Sequence, residues 1–263
     1  MAKVIVITSG KGGVGKTTST ANIGSGLALE GNKVLLIDTD IGLRNLDVVV
    51  GLENRIVYDL VDVIEGRCRI NQALIKDKRC PDLCLLPAAQ VREKNDVNEK
   101  QMKDLVDKLR ADFDYILIDC PAGIEQGFKN AIAAADEAIV VTTPEISATR
   151  DADRVIGLLE ANEINEKKLL INRLKMDMVK AGNMLDVDDM LEILAIDLVG
   201  VIPDDENIVI STNKGEPLVF KGESLAAKAY MNVVHRLMGQ EVPFLDLNVK
   251  ESLFGRLKKA FKG

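Results

Sequence analysis

No part of this 263-residue chain is an apolar run long enough to cross a bilayer. The N-terminus passes from Met-Ala-Lys straight into VIVIT, without a long apolar region or a small-residue cleavage site. The expectation is a protein made and kept in the cytosol. Cysteine is scarce, at four residues (Cys68, Cys80, Cys84 and Cys120), and histidine scarcer, at one, His235. So few thiols in a large chain with no apparent secretion signal favour reduced thiols over a disulfide framework. CPDLC at 80–84 has ligand-like spacing, but no second Cys-x-x-Cys and no histidine cluster completes a zinc site. The thiols are expected as small apolar side chains near strand ends. Linkers rich in Ser, Gly or Pro, low-complexity tracts and internal repeats are also missing, which favours one large domain over two small ones. Basic charge falls short of acidic, 34 residues against 41, so the net charge of -7 repels nucleic acid and anionic lipid. Any such partner needs a local basic patch.

What is present is a series of β-branched apolar runs: KVIVIT at 3–8, KVLLID at 33–38, LCLLPA at 83–88, YILID at 115–119, EAIVVTT at 137–143, KLLIN at 168–172 and LVGVIP at 198–203. They alternate little, as expected of strands covered on both faces. Helix-like segments lie between them, at 17–30, 100–110, 148–161, 185–195 and 224–238. This order predicts an α/β fold, a single doubly wound, mostly parallel sheet with helices on both faces and ligands beyond the carboxyl ends of the strands. LKMDMVKAGN at 174–183 reads as an exposed loop.

SGKGGVGKTT at 9–18 stands after a strand and before a helix. Gly10, Gly12, Gly13 and Gly15 permit backbone conformations closed to other residues, so that successive N–H groups, Val14 and Thr18 included, can face one anion. Lys16 then reaches the β- and γ-phosphates of ATP, and the Thr17 hydroxyl ligates Mg²⁺. ILIDC ends in Asp119, which would hold the same magnesium through its water shell. Asp38 and Asp40 lie two apart, on one side of an extended segment. Asp38 could approach the metal, and Asp40 could orient or deprotonate a water in line with the γ-phosphorus; a solvent-facing acidic loop is the alternative. Lys11 is surplus to the phosphate loop, and spacing alone does not distinguish a function from an exposed lysine.

The last fourteen residues, KESLFGRLKKAFKG, carry a net charge of +4 on an acidic protein. At 100° per residue Leu253, Phe254, Leu257, Ala260 and Phe261 fall on one helix face, opposite Arg256, Lys258, Lys259 and Lys262. Such a helix could lie in an anionic membrane interface, or pack on the body with its lysines in water.

Lys11 to Thr18, KGGVGKTT, resembles the deviant Walker A loop of the MinD/ParA family of P-loop ATPases, in which the early lysine is the signature. DTDIGLRNLD, VYDLVDVIEG, NQALIKDKR, DCPAGIE and TRDADR are similar to the cell-division branch of that family, and the resemblance runs from residue 1 to the last helix. It implies an ATPase domain over 1–249, a membrane-targeting helix over 250–263, and an ATP-bound homodimer in which Lys11 reaches the partner subunit's nucleotide. It further implies roles for Asp38, Asp40 and Asp119 in the metal and water network, and adenine contacts near Asn172, Asp204 and Asp205. Ser147, Asp151 and Asp153 match the region that contacts a MinC-like division inhibitor, and hydrolysis would be stimulated by a MinE-like or other topological factor. The expected function is regulation of septum placement by a protein that cycles to the inner face of the membrane. A ParA-type partition ATPase that binds nucleoid DNA is the alternative; an iron–sulfur carrier of the superfamily would need a cysteine ligand pair that these cysteines do not form.

Overall fold

The computed structural model describes residues 1–92 and 96–247. Eight strands form one sheet: β1 Lys3–Thr8, β2 Val34–Asp38, β3 Ile75–Lys76, β4 Leu83–Leu86, β5 Tyr115–Asp119, β6 Glu137–Thr142, β7 Glu166–Leu174 and β8 Asp197–Pro203. Their order is β3-β4-β2-β5-β1-β6-β7-β8, and every pairing is parallel except the antiparallel β3-β4 edge. The helices are α1 Lys16–Leu29, α2 Leu46–Val49, α3 Leu60–Ile64, α4 Ile70–Ala73, α5 Glu99–Leu109, α6 Gln126–Ile132, α7 Ile146–Ala161, α8 Met176–Lys180, α9 Val187–Leu194, α10 Glu206–Asn213 and α11 Leu225–Leu237.

The strands lack alternation because both of their faces are covered. Val4 and Val6 join a core layer with α5, α6, α7 and α9, while Ile5 and Ile7 point the other way into a layer with α1 and α11. In β5, Ile116 and Ile118 take the first side and Leu117 the second. The helices are equally patterned: α5 buries Met102, Leu105, Val106 and Leu109. Asn98 starts α5 by accepting from the Gln101 amide at 3.0 Å, while Gln101 accepts from the Asn98 amide at 2.9 Å. The sequence reading of a doubly wound α/β sheet is the fold found, with one correction: residues 174–183 are not all loop, since Met176–Lys180 make a helical turn, α8.

The buried carboxylate of Asp77 ties the antiparallel edge to the rest. Arg79 forks onto it, donates to the carbonyls of Gly215, at 2.8 Å, and Val50, and lies 5.3 Å from the centre of the Phe220 ring. Three separate chain segments, at 50, 77–79 and 215–220, meet at one guanidinium, a geometry an ammonium does not reproduce. Arg79→Ala is expected to lower stability by about 2–3 kcal/mol, less than a fully buried pair because Arg79 is partly exposed, and Arg79→Lys to recover less than half of that. Urea unfolding of the three proteins checks this.

Candidate active site

The strands β1, β2 and β5 end side by side, and each contributes one part of a phosphate site. After β1 the chain turns at Gly10 and closes at Gly15 before α1 begins at Lys16. Gly10 has no room for a side chain, since a Cβ there would overlap the backbone of Asp151 in α7. Gly15 has a φ of +102°, and a Cβ on it would overlap the Asn172 amide nitrogen. No side chain caps α1 and its first turn has no acid, so its leading N–H groups and dipole are available to an anion. Lys16 is buried behind the loop, and its Nζ donates to Ser9 Oγ at 2.9 Å.

Across from the loop, Asp38 and Asp119 stand opposite each other in the β2-β5 register, both buried. Burial pushes the Asp38 carboxyl up to about 6, against three backbone donors that oppose the shift. Burial, and then the Asp38 charge, push Asp119 up to about 7, with hydrogen bonds from Thr17 and Thr20 and the Lys16 ammonium acting the other way. Two carboxylates desolvated against each other fit a divalent cation. Mg²⁺ is an ion that takes one or two carboxylates and completes its shell with phosphate oxygens and water. Thr17, Asp38 and Asp119 could hold such an ion.

Asp38 also builds the loop that follows it. Its Oδ1 accepts from the Asp40 amide at 2.9 Å and its Oδ2 from the amides of Asn45 and Leu46 at 3.1 Å. The backbone at Asp40 is thus fixed by the Asp38 carboxylate. Thr39 adds a second tie, donating through Oγ1 to the Asp119 carbonyl at 2.6 Å. Cys120 is no nucleophile: it is buried and its thiol is pushed up to about 12 by desolvation.

On the β7-β8 side a cavity of about 1150 Å³ opens next to Gly15 and Thr18. Asn172, Asp204 and Asp205 all line it. Asn172, read as an adenine contact, donates from Nδ2 to the Val14 carbonyl at 2.8 Å and so braces the phosphate loop as well. Asp205 caps α10 by accepting from the Asn207 amide at 2.9 Å, and Asp204 pairs with Lys175 at 3.4 Å. Arg173, in the same wall, holds a left-handed φ of 59° that is costly for a residue with a Cβ, and nothing in its sequence neighbourhood signals it.

Lys11 lies outside this convergence. Its Nζ donates to Glu145 Oε2 and Ser147 Oγ, both at 3.3 Å, at the start of α7. Ser147, Asp151 and Asp153 are all exposed on that helix. The predicted membrane residues Leu253, Phe254, Arg256, Leu257, Lys258, Lys259 and Phe261 lie outside the described residues. Among those described, no helix is long and apolar enough to cross a membrane.

The carboxylate pair gives a signed pH dependence. Between about pH 4 and pH 7 the folded pair keeps protons that ordinary carboxyls, at 3.8, have released, so the folded state binds more protons than the unfolded one. With EDTA present, the pair's contribution is expected to fall as pH rises through this window. Urea midpoints against pH measure it, and Asp119→Asn should flatten the slope.

Comparison with known proteins agrees with the geometry. A family model described as an AAA domain matches residues 2–172. The chain is 56% identical over 265 residues to the septum site-determining protein MinD of Synechocystis sp., covering 100% of both chains. Among solved structures it resembles the MinC:MinD cell division protein complex of Aquifex aeolicus, with a TM-score of 0.88 and 51% identity over 93% of this chain and 99% of that one. It also resembles Pyrococcus horikoshii MinD complexed with Mg-ADP, with a TM-score of 0.81 and 31% identity over 90% and 96% of the two chains. The DNA-partition alternative gains nothing from these relatives, which are cell-division proteins. Similarity that runs the whole length of the chain, on a fold and a phosphate loop of the same kind, settles the family: this protein belongs to the septum site-determining MinD family of P-loop ATPases.

Proposed function

We propose that this protein is a Mg²⁺-dependent, dimerisation-activated ATP hydrolase that cycles between the cytoplasm and the inner face of the cell membrane and regulates where the division septum forms. The observation that carries the reading is the meeting of Lys16, Thr17, Asp38 and Asp119 at three neighbouring strand ends, beside a lysine, Lys11, that its own phosphate loop does not use. The loop amides from Gly10 to Thr18 and the Lys16 ammonium bind the triphosphate, and the α10 side of the large cavity takes the base. Thr17, Asp38 and Asp119 would hold Mg²⁺, which would supply positive charge to offset that of the phosphates. Asp40, aimed by Asp38, orients a water and takes its proton.

Lys11 then links chemistry to assembly. Its contact with Glu145 leaves the two side chains 44% and 56% exposed, and an ion pair in water of that kind is worth about 1 kcal/mol or less. A lysine facing the nucleotide of a second subunit, in an interface that excludes water, gains far more than it leaves. Lys11 therefore transfers in trans when the dimer forms. Its departure bares Glu145 and Ser147, and with Asp151 and Asp153 they form the surface for a MinC-like inhibitor; the Aquifex aeolicus relative was solved as a MinC:MinD complex. A MinE-like or other topological factor would raise turnover and release the protein.

Residues 1–249 make the ATPase and 250–263 the membrane anchor. Headgroup attraction gives roughly 1 kcal/mol per basic residue, and ordering the segment offsets much of what lipid contact adds, so one tail binds reversibly. Two tails on an ATP dimer strengthen attachment by about 100-fold or more through avidity.

Asp40→Ala is expected to keep ATP binding and dimerisation and to lower turnover by about 100-fold; unchanged turnover removes Asp40 from its role. Lys11→Ala should weaken dimerisation and turnover more than binding of nucleotide to the monomer, as read by sedimentation and nucleotide titration. In liposome co-sedimentation the full chain should pellet with ATP and not with ADP, and a chain ending at residue 249 with neither.

A further inference from the structure

The second cavity of the molecule has no part in the nucleotide site. It is an open, largely apolar groove of about 380 Å³ between α9, the edge strand β8 and the segment 244–247, within the size range of small-ligand pockets. Val187, Leu191, Leu198, Val201, Leu245 and Leu247 line it, and each is only half-buried. The groove wall also carries a group left wanting. Arg236 donates from Nε to the Val242 carbonyl at 3.0 Å and from Nη1 to the Val199 carbonyl at 2.9 Å, with its guanidinium 4.0 Å from the centre of the Phe244 ring. Its Nη2 is buried and has no acceptor among the described residues. An incoming segment with a carboxylate or a free carbonyl would supply one.

We infer that this groove is the resting seat of the chain's own C-terminal segment, 250–263, and that the groove and the membrane compete for the same apolar face; this rests on the membrane reading of the tail. Position, charge and pattern each argue for that occupant. Leu247, the last described residue, already forms part of the wall, and the six residues from there to Leu253 reach about 20 Å when extended. Two exposed carboxylates, Asp188 and Asp246, line the groove, and the tail carries a net charge of +4. The side chains that would fill the groove, Leu253, Phe254, Leu257 and Phe261, are those that would enter lipid, so one tail cannot do both. A tether this short also gives the tail an effective concentration at the groove near the millimolar range, which a second protein has to exceed. If nine tails in ten are seated, apparent membrane affinity falls about tenfold.

The chain has no tryptophan, so Phe254→Trp places a sole indole in the tail. In the full-length protein with ADP and no vesicles, its emission should be blue-shifted and shielded from a soluble quencher. Leu191→Lys in that background should expose the indole and raise ADP-state binding to vesicles of phosphatidylglycerol and phosphatidylethanolamine about tenfold. Asp188→Lys, a surface change that leaves the core intact, should move both readouts the same way by a smaller factor. An indole in solvent before vesicles are added, or one indifferent to both substitutions, overturns the docking and leaves the membrane reading standing. A shift that grows with protein concentration overturns it too, by assigning the tail to a second copy. A shielded indole that Leu191→Lys releases, with no vesicle capture in any nucleotide state, sustains the docking and removes the membrane reading.

Discussion

Two carboxylates held against their own repulsion organise this molecule. Asp38 and Asp119 are neighbours because β2 and β5 are, and both are buried because those strands lie at the centre of a sheet covered on both faces. Left alone, the pair raises the free energy of the fold at neutral pH. The fold tolerates this by surrounding the pair with donors: Thr17 and Thr20 hydroxyls on Asp119, three backbone amides on Asp38, and the Lys16 ammonium behind them. A cation placed between the carboxylates relieves the repulsion at its source. Because Asp38 also holds the turn that carries Asp40, one carboxylate of the pair is tied to the residue proposed to handle the water.

The phosphate loop is braced on both flanks by parts of the chain far away in sequence. At Gly10 the backbone of α7 comes too close to admit a side chain, and at Gly15 Asn172 donates into the loop at Val14. The loop and α7 are therefore in close backbone contact at Gly10. Lys11 lies close enough to α7 to reach Glu145 and Ser147, yet it is held there only by exposed contacts. A weak contact is what a transferable lysine requires, since a buried ion pair in the same place would hold it in cis.

The strands and the long helices were legible in sequence because each buries a full face: β1, β5 and α5 are found within a residue of their expected limits. Short elements were legible only in part: α9 and β4 were read, others were not. The α6 and α10 helices have seven and eight residues, and β3 has two, so none supplies enough repeats for a period to emerge. In the site, the loop and its two strand-end aspartates could be read because glycine and carboxylate at a strand end have few other uses in that context. Asn172 was read for its place in the topology, without its brace on the loop; Arg173 and the Arg79 clasp escaped altogether, because a left-handed backbone and a four-way guanidinium contact depend on segments that sequence does not bring together.

A competing seat for the tail changes what ATP has to accomplish. Without one, a monomer binds the membrane through one amphipathic segment at whatever affinity its few apolar and basic residues provide, and the contrast with the dimer is the avidity of a second tail. With one, each tail must first leave the groove, so a monomer meets that cost for a single weak anchor. A dimer meets it twice, but the second tail is already at the surface when the first has bound, and lipid displaces the groove at millimolar effective concentration. Seating the tail therefore lowers the monomer's attachment by about tenfold and the dimer's by about that factor for each tail, and it raises the threshold for attachment without adding a contact to the nucleotide site. The groove lies on the β8 edge, remote from the Asp38 and Asp119 pair, so this threshold can be tuned at Leu191, which lines the groove and not the nucleotide cavity.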